Sequence, residues 1–239
     1  AQSHIGFGHF EFAAHHEGPE SVKTLLEHVI SLHFPHLINL PDDDRYARWF
    51  EEVVERTART IADWQAVGFC HGVMNSDNMS IIGDTFDYGP FAFLDDFDAG
   101  YISNHTDQGG RYAFDNQPGI AQWNLARFAE TLLPLMRAEG DTVVEQATEV
   151  LRGFTSRFSA EQRRLHANKL GLAPESDRAA PLMEALEIQM HQGRMDMTAT
   201  FDALTRYAQA LRKNSSAHSQ KEALLALTTQ PDGLAAWLA

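Results

Sequence analysis

The chain has 239 residues, of which 44% are hydrophobic and 22% are charged. This is an ordinary composition for a globular protein, and the length allows one large domain or two small ones. The formal net charge of −14 argues against nucleic acid or an anionic membrane surface as the main partner, because both require basic patches. No apolar run approaches the roughly 18 residues that span a bilayer. The single cysteine, Cys70, fits a reducing compartment, and without a signal-peptide pattern a cytoplasmic location is expected.

Residues 1–18 combine glycines and histidines with alternating phenylalanines, and this pattern favours a short extended segment that leads into the fold. The histidines also allow a metal site, but they have no cysteine partner and no His-Glu-x-x-His spacing. Pro19 stands at a plausible first helical position, with apolar residues behind it at helical spacing. A longer amphipathic helix is predicted from Asp42, and Gly68 can end it.

The long helix leads to a polar loop that opens with Cys70 and His71. Asn78 stands seven positions after His71, a short β-branched run follows, and Asp87-Tyr88-Gly89 closes the segment. This order is typical of a kinase-type phosphate site, in which a His-x-Asp-x-x-x-x-Asn loop precedes a hairpin and an Asp-Phe-Gly turn. Short strands are predicted around residues 80–82, 85–86 and 91–94, separated by glycine-containing turns.

Asn78 and Asp87 carry hard oxygen atoms, which Mg²⁺ prefers, and the predicted hairpin brings both to one end of a strand pair. Val73 stands at the usual base position and cannot accept a proton, so Asp77 is the only carboxylate in the loop that can replace it. His71 is expected to be a structural hydrogen-bonding residue. Plain turns are the competing interpretation of each piece, whereas all the pieces in this order favour a site. Cys70 is interpreted as a small buried hydrophobic residue rather than a nucleophile.

Residues 95–119 are a polar, glycine-rich loop, and a loop of this length usually has a function. Its Asp96-x-Asp98-x-Gly100 run only weakly resembles a calcium loop. Helices are predicted around residues 120–133, 141–167, 178–192, 195–213 and 220–239. The predicted fold class is therefore mainly α with a small β hairpin (α+β). We expect a single domain over 1–239, with a lead-in at 1–18, a motif-bearing part at 19–135 and a helical part at 136–239.

Four stretches of the chain carry a resemblance to a known family. They read His-Gly-Val-Met-Asn-Ser-Asp-Asn-Met-Ser, Asp-Tyr-Gly-Pro-Phe-Ala-Phe-Leu-Asp-Asp, Gly-Arg-Tyr-Ala-Phe-Asp-Asn-Gln-Pro and Trp-Asn-Leu-Ala-Arg. They resemble the SelO (YdiU) family of pseudokinase-like protein adenylyltransferases, over about residues 3–135. The resemblance implies a protein-kinase-like C-lobe that transfers AMP from ATP to Ser, Thr or Tyr hydroxyls of protein substrates. It implies Asp77 as the catalytic base, and Asn78 and Asp87 as nucleotide-site residues that bind Mg²⁺ or Mn²⁺.

The chain departs from the family pattern in two places. It resembles the C-terminal half alone, and the nucleotide-binding N-lobe, with its Lys, its helix Glu and its Gly-rich segment, is absent from it. Gly6 also stands where the family's Ser-His-x-Arg stretch has a phosphate-contacting Arg. Because the chain starts without Met, it is expected to be processed or cut from a longer protein. We therefore expect poor activity from the chain alone, and a non-catalytic pseudoenzyme fragment that binds a partner stays open as the alternative.

Overall fold

The computed structural model describes residues 2–136, 141–213 and 215–239. The α-helices are, in chain order, α1 Phe7–His16, α2 Pro19–His33, α3 Asp42–Val67, α4 Gln117–Leu132, α5 Asp141–Lys169, α6 Ala179–Gly193, α7 Met197–Arg212, α8 Ala217–Leu225 and α9 Pro231–Trp237. The strands are β1 Phe69–Cys70 and β2 Ala92–Phe93, and short 3-10 helices lie at Pro35–Leu37, Ser76–Asn78, Phe114–Asn116 and Leu133–Leu135. A mainly helical chain with a small β element is thus confirmed. None of the described helices has the length and apolar character to cross a membrane.

The extended segment predicted at residues 1–18 is wrong, because α1 occupies most of it. Phe7, Phe10 and Ala13 lie three residues apart on one face of this helix, and all three are buried. The ring of Phe7 stacks on that of Phe128 from α4, with the centroids 4.6 Å apart. Phe12, which made the pattern look like strand alternation, is 60% exposed. Burial of the helical stripe therefore decides the local structure.

Helix α3 confirms the helix predicted from Asp42 to Gly68, and it leads directly into β1 and the loop that begins at His71. Its buried residues include Trp49, Phe50 and Val53, which recur at helical spacing. Gly68 ends it in the left-handed conformation, φ 70°, where its N–H bonds to the carbonyls of Trp64 and Gln65. Among the described helices, α3 makes its most extensive contact with α5.

Two clusters of buried apolar side chains meet at β1. The first lies among α1 to α5 and includes Phe69. The second includes Cys70 and Leu94, and its remaining members come mainly from the C-terminal helices, among them Met183, Leu186, Met190, Leu224 and Leu234. Because successive side chains of a strand point to opposite faces, the two residues of β1 belong to different clusters. This strand is therefore the joint between the two parts of the core.

The predicted hairpin over residues 80–86 is wrong. Strand β2 pairs antiparallel with β1, so that Phe69 lies opposite Phe93. Ser80 instead forms an isolated bridge with Gly6. Two backbone hydrogen bonds support this bridge: Phe7 N–H donates to the Met79 carbonyl at 2.9 Å, and Ile81 N–H donates to the Ile5 carbonyl at 3.2 Å. Residues 79–81 therefore pair with the segment before α1, not with their neighbours in sequence.

The C-terminal prediction is correct in type and wrong in one boundary. The helices predicted around 141–167, 178–192 and 195–213 correspond to α5, α6 and α7. The single helix predicted over 220–239 is divided into α8 and α9. Pro231 stands at the first position of α9, where its missing N–H costs no helical hydrogen bond.

Candidate active site

His71, directly after β1, is buried and links the polar loop to the turn that contains Asp87. Because a carbonyl can only accept, its Nε2 donates to the Phe86 carbonyl at 3.2 Å. The ring packs against Trp64 with the centroids 5.2 Å apart. Burial lowers the pKa of His71 below its ordinary value, against a smaller opposing effect of the Phe86 hydrogen bond. A neutral, hydrogen-bonded imidazole agrees with the structural role expected for His71.

Gly72 allows the loop to approach the turn closely. It has φ +80°, a region that favours glycine, and a Cβ there would lie 2.7 Å from the carbonyl oxygen of Pro90. Its own carbonyl accepts a hydrogen bond from Asn104 Nδ2 at 3.1 Å. Next to it, a Cγ atom of Val73 lies 4.0 Å from the position of a Cβ on Gly89. Residues 71–73 therefore pack directly against the turn that contains Asp87.

Asn78 is folded back onto the same segment. Residues 76–78 form a 3-10 turn, and the Asn78 N–H donates to the Asn75 carbonyl at 3.1 Å. Its side-chain Nδ2 donates to the Val73 carbonyl at 2.9 Å. This bond fixes the amide orientation so that Oδ1, the hard oxygen, is left for another partner. The side chain is half-buried, which holds it in place without sealing it from solvent.

Asp87 has a strained backbone. Its φ of 57° lies in the left-handed region, which residues other than glycine adopt at a cost of roughly 1 kcal/mol or more. The residue is exposed. Within residues 2–136, 141–213 and 215–239 its carboxylate makes neither a hydrogen bond nor an ion pair. Residues held in sparsely populated backbone conformations cluster at functional sites.

Asp77 lies against the first turn of α1. A Cβ on Gly8 would overlap the Asp77 Oδ1 atom, so the carboxylate rests on the bare backbone of α1. Asp77 is exposed, and among the described residues its carboxylate has no hydrogen-bond or ion-pair partner. A solvated, unpaired carboxylate of this kind can accept a proton from an incoming group.

The structure thus brings Val73, Asn78 and the Asp87 turn together, although by a route that the sequence did not predict. The connection runs through His71 and Gly72 instead of through a hairpin. Gln117 also holds the segment, because its Oε1 accepts from the His71 N–H at 2.9 Å and its Nε2 donates to the Phe69 carbonyl at 2.9 Å.

Two further residues, Gln117 and Asn124, support the loop and are not indicated by the spacing of the sequence motifs. Asn124 Nδ2 donates to the Met74 carbonyl at 2.7 Å, and both side chains are fully buried. The only signal for them in the sequence is their position inside the motif stretches Asn-Gln-Pro and Trp-Asn-Leu. Buried amides that bond loop carbonyls satisfy groups that a neighbouring strand would otherwise bond.

The donor types of Asn78 and Asp87, an amide oxygen and a carboxylate, suit a hard divalent cation. Both side chains reach solvent, the Asn78 amide is oriented by its bond to Val73, and carboxylate and amide oxygens are ligands that Mg²⁺ and Mn²⁺ prefer. Mg²⁺ commonly takes its other ligands from water and substrate phosphates. The N-terminal histidines gain no support as a metal site, because no group of three or more His, Cys, Asp or Glu side chains among the described residues could hold a metal ion.

The weak calcium-loop resemblance also gains no support, because protein groups already occupy its carboxylates. Asp96 Oδ2 accepts from Arg194 Nε at 3.2 Å. Asp98 Oδ1 accepts from the Gly100 N–H at 3.0 Å. The first bond links the long loop to Arg194, directly after α6, and the second closes a turn within the loop.

Comparison with known proteins identifies the family. Three relatives are each described as protein nucleotidyltransferase YdiU. The protein from Myxococcus xanthus is 49% identical over 210 residues, which are 88% of this chain and 41% of the relative. Those from Cronobacter sakazakii and Pseudomonas fluorescens are 46% and 47% identical over 205 and 204 residues, 86% and 85% of this chain and 41% and 40% of the relatives. The chain spans about two fifths of the length of these curated relatives.

A sequence model of one family, described as protein adenylyltransferase SelO, matches residues 1–239. The chain therefore belongs to the SelO family. This confirms the family that the four motif stretches predicted.

Proposed function

We propose that residues 71–89 form the catalytic centre of a protein adenylyltransferase, an enzyme that moves AMP from ATP to Ser, Thr or Tyr hydroxyls of other proteins. We further propose that the chain is the kinase-like C-lobe of that enzyme. One observation carries the proposal: in a chain of the SelO family, the unpaired carboxylate of Asp77 stands next to Asn78, on a loop that packs against the Asp87 turn.

Asp77 has the role of base in this proposal. The acceptor hydroxyl oxygen attacks the α-phosphorus of ATP, and its proton passes to the Asp77 carboxylate. The new bond joins the acceptor oxygen to the α-phosphorus, while the bond from the α-phosphorus to the bridging oxygen breaks and pyrophosphate leaves. Contact with Gly8 holds the Asp77 side chain in position for this step.

Asn78 and Asp87 have the role of ligands for Mg²⁺ or Mn²⁺. When bound, the cation would offset the negative charge of the ATP phosphates. The chain contributes the placement of the two residues: the bond to Val73 orients the Asn78 amide, and the turn that contains Asp87 leaves its carboxylate exposed to solvent.

The test is to incubate the chain, alone and joined to the additional sequence that the longer relatives carry, with a generic acceptor protein and ATP labelled on either the α- or the γ-phosphorus. Label from the α-phosphorus alone is expected on the acceptor, and Asp77→Asn should abolish it. Transfer of the γ label would instead indicate a kinase. Calorimetry should give saturable Mg·ATP binding that Asp87→Ala removes and the remote control Asp202→Ala leaves unchanged.

A non-catalytic, partner-binding role is the second candidate, and the surroundings of Gly6 favour it. A Cβ at Gly6 would lie 2.7 Å from the Asp77 carbonyl oxygen and 3.0 Å from that of Met79. In this structure the position therefore has no room for the phosphate-contacting Arg that the family pattern has there. If neither form of the chain binds Mg·ATP, this second function replaces the first.

A further inference from the structure

A concave site lies beside the proposed catalytic loop. It has a volume of about 680 Å³ and is lined by α1, the loop before Asp77, the loop around Arg111 and the outer face of α4. We call it the α1–α4 pocket. The volume is in the range of pockets that take small molecules or side chains, roughly 300–1,000 Å³. The proposed cation ligands, Asn78 and Asp87, and the proposed base, Asp77, do not line this pocket. The proposed mechanism of nucleotide transfer therefore gives the pocket no role.

One face of α1 connects Asp77 to this pocket. Gly8 contacts the Asp77 carboxylate, Glu11 Oε2 accepts from Ser76 Oγ at 2.8 Å, and His15 lines the pocket. These residues stand at i, i+3 and i+7, so they lie on one side of the helix. At 1.5 Å per residue, the distance along α1 from Gly8 to His15 is about 10 Å. An extended peptide covers about 10 Å in three residues.

Arg111 is the unpaired cation of this pocket. Its guanidinium lies over the rings of Trp123 at 4.6 Å and Tyr112 at 5.7 Å. Its backbone is fixed at both ends, since its N–H donates to Asp107 Oδ1 at 2.9 Å and its carbonyl accepts from Asn116 Nδ2 at 2.7 Å.

No carboxylate among the described residues is within 4 Å of the Arg111 guanidinium. The neighbouring Arg127, in contrast, is paired with Glu130 at 2.8 Å. A guanidinium that contacts aromatic rings keeps its fork of N–H donors, which matches a carboxylate. The Trp123 indole beside it is 49% exposed, which leaves apolar surface for the stem of the same incoming side chain.

We propose that the α1–α4 pocket binds the acceptor segment of the target protein, and that this segment runs along α1 from Asp77 to His15, a length of about three extended residues. Arg111 and Trp123, which line the pocket with His15, then take an acidic side chain at about that spacing from the acceptor hydroxyl. The proposal rests on the proposed function, because it places the hydroxyl at Asp77.

Glu11 lies on α1 between Gly8, which contacts Asp77, and His15, which lines the pocket. Its carboxylate already accepts a hydrogen bond from Ser76 Oγ, so a second acidic side chain close to the acceptor hydroxyl is disfavoured. The proposed substrates are therefore segments that carry an acceptor hydroxyl and a Glu or Asp about three residues away from it.

The test uses NMR titration of the full chain with peptides, observing the indole N–H signal of Trp123, which a Trp123→Phe variant assigns. The probe is Ala-Glu-Ala-Ala-Ser-Ala-Ala-Glu-Ala, which has Glu at the third position on either side of Ser. Matched peptides carry Gln or Lys at those positions, or Glu directly beside Ser. The probe should shift the Trp123 signal and bind about three- to tenfold more tightly than the Gln peptide.

Arg111→Ala should remove that preference, while the remote Arg206→Ala should keep it, with thermal unfolding of both variants as the check on folding. The proposal is overturned if the probe at millimolar concentration leaves the Trp123 signal in place, or if the Lys peptide binds more tightly. It is also overturned if Arg111→Ala weakens Mg·ATP binding, because Arg111 would then serve the nucleotide. Failure of the proposed function is a separate result, namely that Mg·ATP does not bind the unmodified chain.

Discussion

At the scale of single residues, the position of Asp77 depends on a glycine in another element. Gly8 belongs to the first turn of α1, where glycine is a poor helix former compared with alanine. Its lack of a side chain is what lets the Asp77 carboxylate rest on the helix backbone. Glycine at position 8 therefore lowers the helix propensity of α1 but allows close contact with the loop.

Gly8→Ala should consequently be harmful, although alanine favours helices. We expect the free energy of unfolding to fall by about 1–3 kcal/mol, because the new Cβ must displace Asp77 or α1. Adenylyl transfer should fall further than Mg·ATP affinity, since the ligand residues are not touched. Urea unfolding and transfer of α-labelled AMP measure the two effects. Gly109→Ala, where a Cβ meets nothing within 4 Å, is the matched control and should change neither.

His71 gives a prediction for pH. Its ordinary pKa is 6.5, and burial lowers the pKa in the folded chain. Below pH 6.5 the unfolded chain therefore binds a proton that the folded chain refuses, so the free energy of unfolding falls as the pH falls. His71→Phe should flatten this slope, while at pH 7.5 it should lower stability by about 1–3 kcal/mol because the buried Phe86 carbonyl loses its donor.

Urea unfolding of both chains from pH 7.5 to pH 5 measures the difference in slope. His166, whose pKa burial lowers to about 4, contributes equally to both chains and cancels. The exposed His218→Phe is the control. Equal slopes for His71→Phe and the unmodified chain would contradict the assignment.

At the scale of elements, the sequence could predict the long helices because each carries its own apolar stripe and end signals. α3 is the clearest example, since it begins at Asp42 and Gly68 ends it as expected. α1 was not predicted, because Phe10 and Phe12 stand two residues apart, as the apolar residues of a strand do. The false hairpin has a different cause: residues 79–81 pair with Ile5–Phe7, and a local pattern cannot show which distant segment completes a strand.

For the candidate site too, the sequence could predict one part and not another. The identities of Asp77, Asn78 and Asp87 could be proposed from spacing within one loop. The contacts that hold the loop could not, because they come from other elements. Gln117, for example, is 46 residues away from the His71 N–H that it accepts. Such a partner is visible only when the chain is folded.

The contact between α3 and α5 gives the stability prediction at this scale. Phe154 of α5 is 2% exposed and packs into the first cluster, and Arg157 one turn later bonds Glu51 of α3 at 2.5 Å. Phe154→Ala should lower the free energy of unfolding by about 3–5 kcal/mol through the lost burial and the cavity. Phe12→Ala makes the same change on the surface and should cost less than about 1 kcal/mol. Guanidinium unfolding of both variants tests the difference.

At the scale of the whole molecule, Cys70 stands where the two clusters meet. It is fully buried, and its Sγ lies 3.6 Å from the Tyr112 carbonyl oxygen. A thiol reagent can reach it only when β1 separates from the long loop. We expect labelling of the native chain to be at least about 1,000-fold slower than that of the urea-unfolded chain.

The labelling rate should also respond to ligand. If Mg·ATP binds at Asn78 and Asp87, it stabilises the closed form and slows labelling further, in proportion to its occupancy. Labelling as fast as in urea would show that the two clusters separate readily at β1. That result would contradict the packing described for this joint.

The left-handed backbone of Asp87 sets the stability of the chain against its proposed function. Glycine adopts this conformation without strain, so Asp87→Gly should leave stability unchanged or raise it by up to about 1 kcal/mol in thermal unfolding. The same change removes a proposed cation ligand and should abolish Mg·ATP binding in calorimetry. A chain optimised only to stay folded would have glycine at this position, and the strained aspartate is a stability deficit that a catalytic centre can justify.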